Sequence, residues 1–129
     1  MVLDTNLFVA AYWNKRSASA DLLRACAEGR LRLFCTDQIR REISLILRNI
    51  RAGEDYRRLV EEILAVATEV FVQAHLSVVR DDPDDDKFLE CALAAGADYL
   101  VSSDSHLLRV GAFEGTRIVR PSEMRRLLP

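Results

Sequence analysis

The chain has 129 residues, half of them hydrophobic, and a net charge of −2. That composition suits one domain over residues 1–129 with one core, and leaves a second folded unit unexpected. No apolar run approaches the roughly 20 residues of a membrane-spanning helix. The opening MVLDTNLFVAAYWNK lacks the basic start of a secretory leader, so a cytoplasmic protein with no membrane partner is expected.

Cys26, Cys35 and Cys91 are scattered and form no CxxC or Cys/His cluster, so they read as buried thiols and a zinc centre is not expected. With only His75 and His106 as imidazoles, any metal should be a hard cation on carboxylate oxygens, Mg2+ or Mn2+. The strongly basic balance typical of nucleic-acid binders is missing from the total, but not from the distribution. Asp81, Asp82, Asp84, Asp85 and Asp86 crowd into DDPDDD, whereas positive charge is nearly all arginine, including Arg40, Arg41, Arg48, Arg51, Arg57 and Arg58. Any one of these arginines reads as ordinary solvated surface; as a group they suggest a basic surface beside an acidic pocket.

In chain order, VL before Asp4 is a short strand. Residues 17–28 are helical in type, with Leu22, Leu23 and Cys26 on one side and Gly29 as a stop. LRLFC (31–35) is a strand. Asp37 is expected to cap a helix carrying Ile39, Ile43, Ile46, Leu47 and Ile50 on one stripe, and Tyr56, Leu59, Val60, Ile63, Leu64 and Ala67 repeat the pattern. EVFV (69–72) is a strand. A helix runs over about 85–95 with Phe88, Leu89, Ala92 and Leu93 inward, ended by Gly96, and YLV (99–101) is the next strand. RIV (117–119) is the last strand and 121–128 a closing helix. Short strands separated by helices rather than tight hairpins predict an α/β fold with a parallel sheet covered on both faces. Ligands in such sheets bind beyond the carboxyl ends of the strands, where the strand order reverses.

Asp4 and Asp104 each follow a strand and so share that edge. Glu42 lies along the apolar stripe of its helix, and Asp86 in a first turn on the inward line of Leu89 and Leu93. Each has a plain structural explanation: an Asx turn for Asp4, a stripe-edge salt bridge for Glu42, helix-dipole complementation for Asp86, and an N-cap on SHLL for Asp104. Four carboxylates directed at one sheet edge, with no arginine or lysine read in the local motif to neutralise them, are more economically explained by bound divalent cations. Clustered acids with hydrated cations suit in-line attack on a phosphodiester. There is no GxxxxGK[ST] loop, which excludes a P-loop nucleotide hydrolase.

The run MVLDTNLFVAA, the RREISLIL helix, DPDDDKFLECALAAGADYLVSSD with SHLL, and RIVRPSEMRRLL together resemble a PIN (PilT N-terminal) domain, most of all the small prokaryotic VapC-related toxins of toxin–antitoxin systems. The resemblance implies a three-layer α/β/α sandwich around a parallel sheet of about five strands. It implies a Mg2+- or Mn2+-dependent endoribonuclease acting on RNA, with Asp4, Glu42, Asp86 and Asp104 as catalytic and metal-binding acids. Asn6 and Ser103 match polar positions beside the metals, and Asp84 and Asp85 are candidate outer-shell groups. Many relatives carry a further acid beyond the fourth; Ser105, His106 and Leu107 stand there, which puts a fifth acidic ligand in doubt. Arg40, Arg41, Arg48 and Arg51 are the candidate RNA contacts, a cognate antitoxin protein the candidate partner, and a homodimer the expected assembly. The alternatives are a catalytically silent PIN-like module that binds RNA or protein and, more weakly, a Mg2+-dependent phosphatase or receiver-type domain. The phosphatase would need an acid where Asn6 stands.

Overall fold

The computed structural model describes residues 1–79 and 83–128, so Asp81 and Asp82 of the acidic run lie outside the described residues. In chain order the elements are β1 (Val2–Leu3), α1 (Asn6–Trp13), α2 (Ala18–Ala27), β2 (Phe34–Cys35), α3 (Asp37–Asn49), α4 (Glu54–Val66), β3 (Thr68–Glu69), a 3₁₀ turn (Pro83–Asp85), α5 (Asp86–Ala95), β4 (Tyr99–Val101), α6 (Ser105–Val110), β5 (Ala112–Phe113), β6 (Thr116–Val119) and α7 (Pro121–Arg126). Among the described residues no helix is long and apolar enough to cross a membrane.

β1 pairs in parallel with β4, β4 with β6, and β2 with β3. The Phe34 amide donates to the Met1 carbonyl at 2.9 Å, which ties the β2–β3 pair to the β1 side. The order across the molecule is therefore β3-β2-β1-β4-β6-β5, with five strands parallel. The chain steps from β1 outward to β3 and then returns to the other side of β1 as β4, so the strand order reverses between β1 and β4. Right-handed crossovers on either side of such a reversal put their helices on opposite faces, which produces the three layers.

Several elements differ from expectation. Helix α1 was not anticipated, because NLFVAAYW is apolar nearly all round and offers no 3.6-residue stripe; Leu7, Phe8 and Ala11 are its buried side. The last strand is not free of hairpins: β5 runs antiparallel to β6 across Glu114 and Gly115, both at positive φ, as a tight two-residue turn requires. Strand β3 begins one residue earlier than EVFV and is shorter, because it is confined to the residues that pair with Phe34 and Cys35. Thr36, not Asp37, caps α3, its side chain accepting the Ile39 amide at 3.2 Å.

Helix α5 packs against β1, β2 and β4 and is buried from Asp86 through Ala92. Leu93, expected inward, is 40% exposed, because the buried arc is set by three strands crossing the first two turns rather than by one stripe. Gly96 closes the helix at φ +61, a left-handed conformation glycine adopts without steric cost. The core joins Val2, Leu3, Phe8, Ile39, Ile43, Ile63, Phe88, Leu89, Leu100 and Leu107, among others. The three cysteines are free and buried, with burial pushing Cys26 and Cys35 up to about 11 and Cys91 to about 12.

Candidate metal centre at the carboxyl edge

Val2 and Leu3 are buried against β4, and the Asp4 amide extends that pairing by donating to the Val101 carbonyl at 2.9 Å. The chain then turns into α1, which leaves the Asp4 carboxylate at the end of the strand, at the reversal of strand order. Its Oδ1 accepts the Asn6 amide at 3.0 Å, an Asx turn, and its Oδ2 accepts the Ser102 hydroxyl at 2.7 Å. Ser102 Oγ in turn accepts the Asp104 amide at 2.9 Å, so one hydroxyl couples the acids that follow β1 and β4. Burial raises the Asp4 pKa above its usual value; the Asn6 and Ser102 hydrogen bonds oppose this, and the charges of Asp104 and Glu42 add to it.

Asp104 is the N-cap of α6, as its plain explanation foresaw, with Oδ1 accepting the amides of His106 at 2.7 Å and Leu107 at 3.4 Å. Beside it stand Asp85 and His106: one ligand atom from each of Asp85, Asp104 and His106 lies within 4.8 Å of the others. The Nδ1 atom of His106 is buried with no hydrogen-bond partner among the described residues, and lies 3.6 Å from Asp104 Oδ1. Two carboxylates and an imidazole whose buried nitrogen is unsatisfied make a donor set that fits a divalent cation.

Asp86 does not join this group. Its Oδ1 accepts the amides of Val78 and Val79 at 3.0 and 2.9 Å, securing the segment that leads into the acidic turn. Glu90, one turn further, does the same for the Leu76 amide at 2.8 Å. Among the described residues it is the neighbouring Asp85, which closes the 3₁₀ turn before α5, that lies with Asp104 and His106. One residue of helical rotation separates an acid facing the sheet edge from one facing the loop.

Glu42 is held by two partners. The Thr5 hydroxyl donates to Oε1, and the Lys87 ammonium pairs with Oε2. Lys87 is only 6% exposed, also reaches Asp84 Oδ2 at 2.9 Å, and lies 5.1 Å from the centroid of the Phe88 ring. Burial alone would pull its pKa down, yet the hydrogen bonds and charges of Glu42 and Asp84 raise it above the ordinary lysine value. The expectation that no local cation neutralises the acids is thus overturned. The stripe-edge salt bridge considered for Glu42 exists, and Asp84 serves it rather than the Asp104 side of the cluster.

Asn6 and Ser103 are exposed and, with Leu7, Ala10, Ser19 and Asp104, line a cleft of about 250 Å³ that opens beside the acids. On α3, Arg40, Arg41, Ser44, Leu45 and Arg48 border a second depression of about 400 Å³. Arg40 is committed to the Leu64 carbonyl at 3.1 Å and Arg41 pairs with Asp37, while Arg48 and Arg51 are exposed. A third cavity, about 720 Å³, lies between α1, α2 and α4 beside Tyr12, Trp13 and Tyr56, and includes none of the clustered acids.

Sequence reasoning missed His106 and Lys87. The signal for His106 was its place two residues after Asp104, on the first turn of the helix that Asp104 caps. The signal for Lys87 was its place among α5 residues too apolar to leave a solvated face. The family model described as the PIN domain matches residues 1–106. No curated protein and no solved structure matched the chain.

Proposed function

Because this chain belongs to the PIN-domain family, whose members are generally nucleases, we propose that it is a divalent-cation-dependent endoribonuclease that hydrolyses phosphodiester bonds of single-stranded or structured RNA. The observation that carries this reading is the meeting of Asp85, Asp104 and His106 at the reversal of strand order, with Asp4 linked to Asp104 through Ser102, next to the open cleft bordered by Asn6 and Ser103. A bound cation, Mg2+ or Mn2+, supplies water activation and charge neutralisation at the phosphate. Asp85, Asp104 and His106 would hold it. Asp4, fixed on two sides by the Asn6 amide and the Ser102 hydroxyl, faces the same edge with a raised proton affinity. Asn6 and Ser103 border the space a scissile nucleotide would enter.

The biological setting follows the family resemblance: a cytoplasmic toxin, VapC-related, held in check by a cognate antitoxin and acting as a homodimer. Cleavage of single-stranded RNA in Mg2+ or Mn2+, stopped by chelation and by Asp4→Asn, tests the activity. A protein that binds RNA but leaves it whole under those conditions would instead be a silent PIN module. The Lys87–Glu42 pair favours that second reading, since it removes one acid from the reach of a cation.

A further inference from the structure

Resting on the reading that this edge holds a divalent cation, we infer that His106 contributes an imidazole nitrogen to the cation position formed with Asp85 and Asp104. That nitrogen makes the position select a first-row transition dication over magnesium.

The geometry is the first support. Ligand atoms of the three residues lie within 4.8 Å of one another, a spacing one ion can bridge. The second support is the state of the ring. Its Nδ1 is buried and unpartnered among the described residues, and its nearest charged neighbour, Asp104 Oδ1 at 3.6 Å, stands beyond hydrogen-bond distance. That oxygen already accepts two backbone amides. A buried nitrogen left without a partner has lost its hydration with nothing in exchange. An ion between ring and carboxylates would engage these lone pairs together. Third, ring and carboxylate are tied by the backbone, because the His106 amide is itself held by Asp104 at the start of α6. The ring is therefore placed by the same cap that places the acid.

The chemical consequence concerns ion identity. Magnesium takes oxygen ligands and keeps its waters, whereas imidazole suits iron, nickel, copper and zinc. An all-oxygen site would accept Mg2+ readily; a site with a nitrogen arm gives a transition ion an extra bond that Mg2+ exploits poorly.

Calorimetric titration of the full chain with Mg2+ and with Zn2+, for wild type, His106→Asn and His106→Asp, tests this. The Zn2+-to-Mg2+ affinity ratio should fall about tenfold in His106→Asn, equivalent to about 1.4 kcal/mol, and His106→Asp should shift the position toward Mg2+. In the wild-type protein, diamagnetic Zn2+ should move one 15N ring resonance of His106 at stoichiometric ion while leaving His75 in place, a readout that needs no variant to fold. If wild type binds both ions but His106→Asn keeps the wild-type ratio, or the His106 ring resonances do not respond to Zn2+, the assignment of His106 falls and the cation reading stands. If wild type binds no divalent ion, both fall together.

Discussion

The Lys87 ammonium lies against the Glu42 carboxylate, buried beneath the acidic edge, and holds Asp84 on its other side. Breaking such a pair strands a carboxylate in a desolvated position. Lys87→Met, which keeps the aliphatic packing, should therefore lower the stability of the cation-free protein by about 1–3 kcal/mol. It should also tighten divalent-cation binding by about fivefold or more, because one repelling charge near the site is worth on the order of 1 kcal/mol. Melting in chelator and calorimetric titration measure the two effects, which have opposite signs. Weaker cation binding in Lys87→Met would mean that the lysine organises the site rather than competing with the ion.

Asp85 and Asp86 are neighbours with different work, and two variants separate them. Asp85→Asn should remove most of the rise in melting temperature that Mn2+ produces by binding the native state. Asp86→Ala should cost about 2–3 kcal/mol, since two amides lose a charged acceptor, yet retain the Mn2+ response. The reverse pattern would return Asp86 to the metal centre.

Asp4 predicts a pH dependence. Its folded pKa is raised above the usual 3.8, chiefly by burial, so the folded chain binds this proton more tightly than the unfolded chain does. Cation-free stability from this residue is therefore greatest below the unfolded value and declines as pH rises through the raised folded value. Asp4→Asn should flatten that decline, raise the melting temperature in chelator near neutral pH, and abolish cleavage. Thermal melts of both proteins across an acid-to-neutral series, in chelator, provide the comparison. A steeper loss of stability with pH in the variant would contradict the sign.

The arginines of α3 and the turn after it should act on RNA through charge. Arg40 is left intact, because it bridges α3 to the Leu64 carbonyl of α4, and Arg51, at φ +52, is replaced by glycine so that its backbone conformation is not strained further. The combination Arg41→Ala, Arg48→Ala and Arg51→Gly should weaken single-stranded RNA binding and lower the salt slope by up to about 0.7 per lost phosphate contact, with unchanged Mn2+ stabilisation. A wild-type slope in filter binding would move the RNA path to another face.

The parallel sheet was legible because apolar clusters alternated with amphipathic segments, and Gly29 and Gly96 marked helix ends. Helix α1 was not, since a segment apolar on every side carries no period to read. Thr36 and Asp37 are both good caps, and sequence alone does not say which leaves the helix first. Asp4 could be placed because it directly follows a strand, and Asp104 because it lies just beyond one, after Ser102 and Ser103. Choosing Asp85 over Asp86 depends on where a 3₁₀ turn gives way to α5, and that register is set by the Val78 and Val79 amides, residues that carry no chemical signature. Lys87 was not read as a partner of the acids; its burial comes from the packing of α5 across three strands, a tertiary fact.

The hydroxyl of Ser102 reaches Asp4 across 98 positions of sequence. β1 is the first element of the chain, yet it sits between β2 and β4, and one side of it stays unpaired until β4 has been made. During synthesis the N-terminal strand must wait for its partner, since a contact of such long range forms only after the intervening chain exists and its loop has closed. Asp85, Asp104 and His106 also belong to the second half of the chain. A nascent polypeptide, extruded beside the very message that encodes it, therefore carries Asp4 and Glu42 before Asp85, Asp104 and His106 are made. The order of the strands works as a timer, delaying assembly of the acidic edge until translation has passed α6.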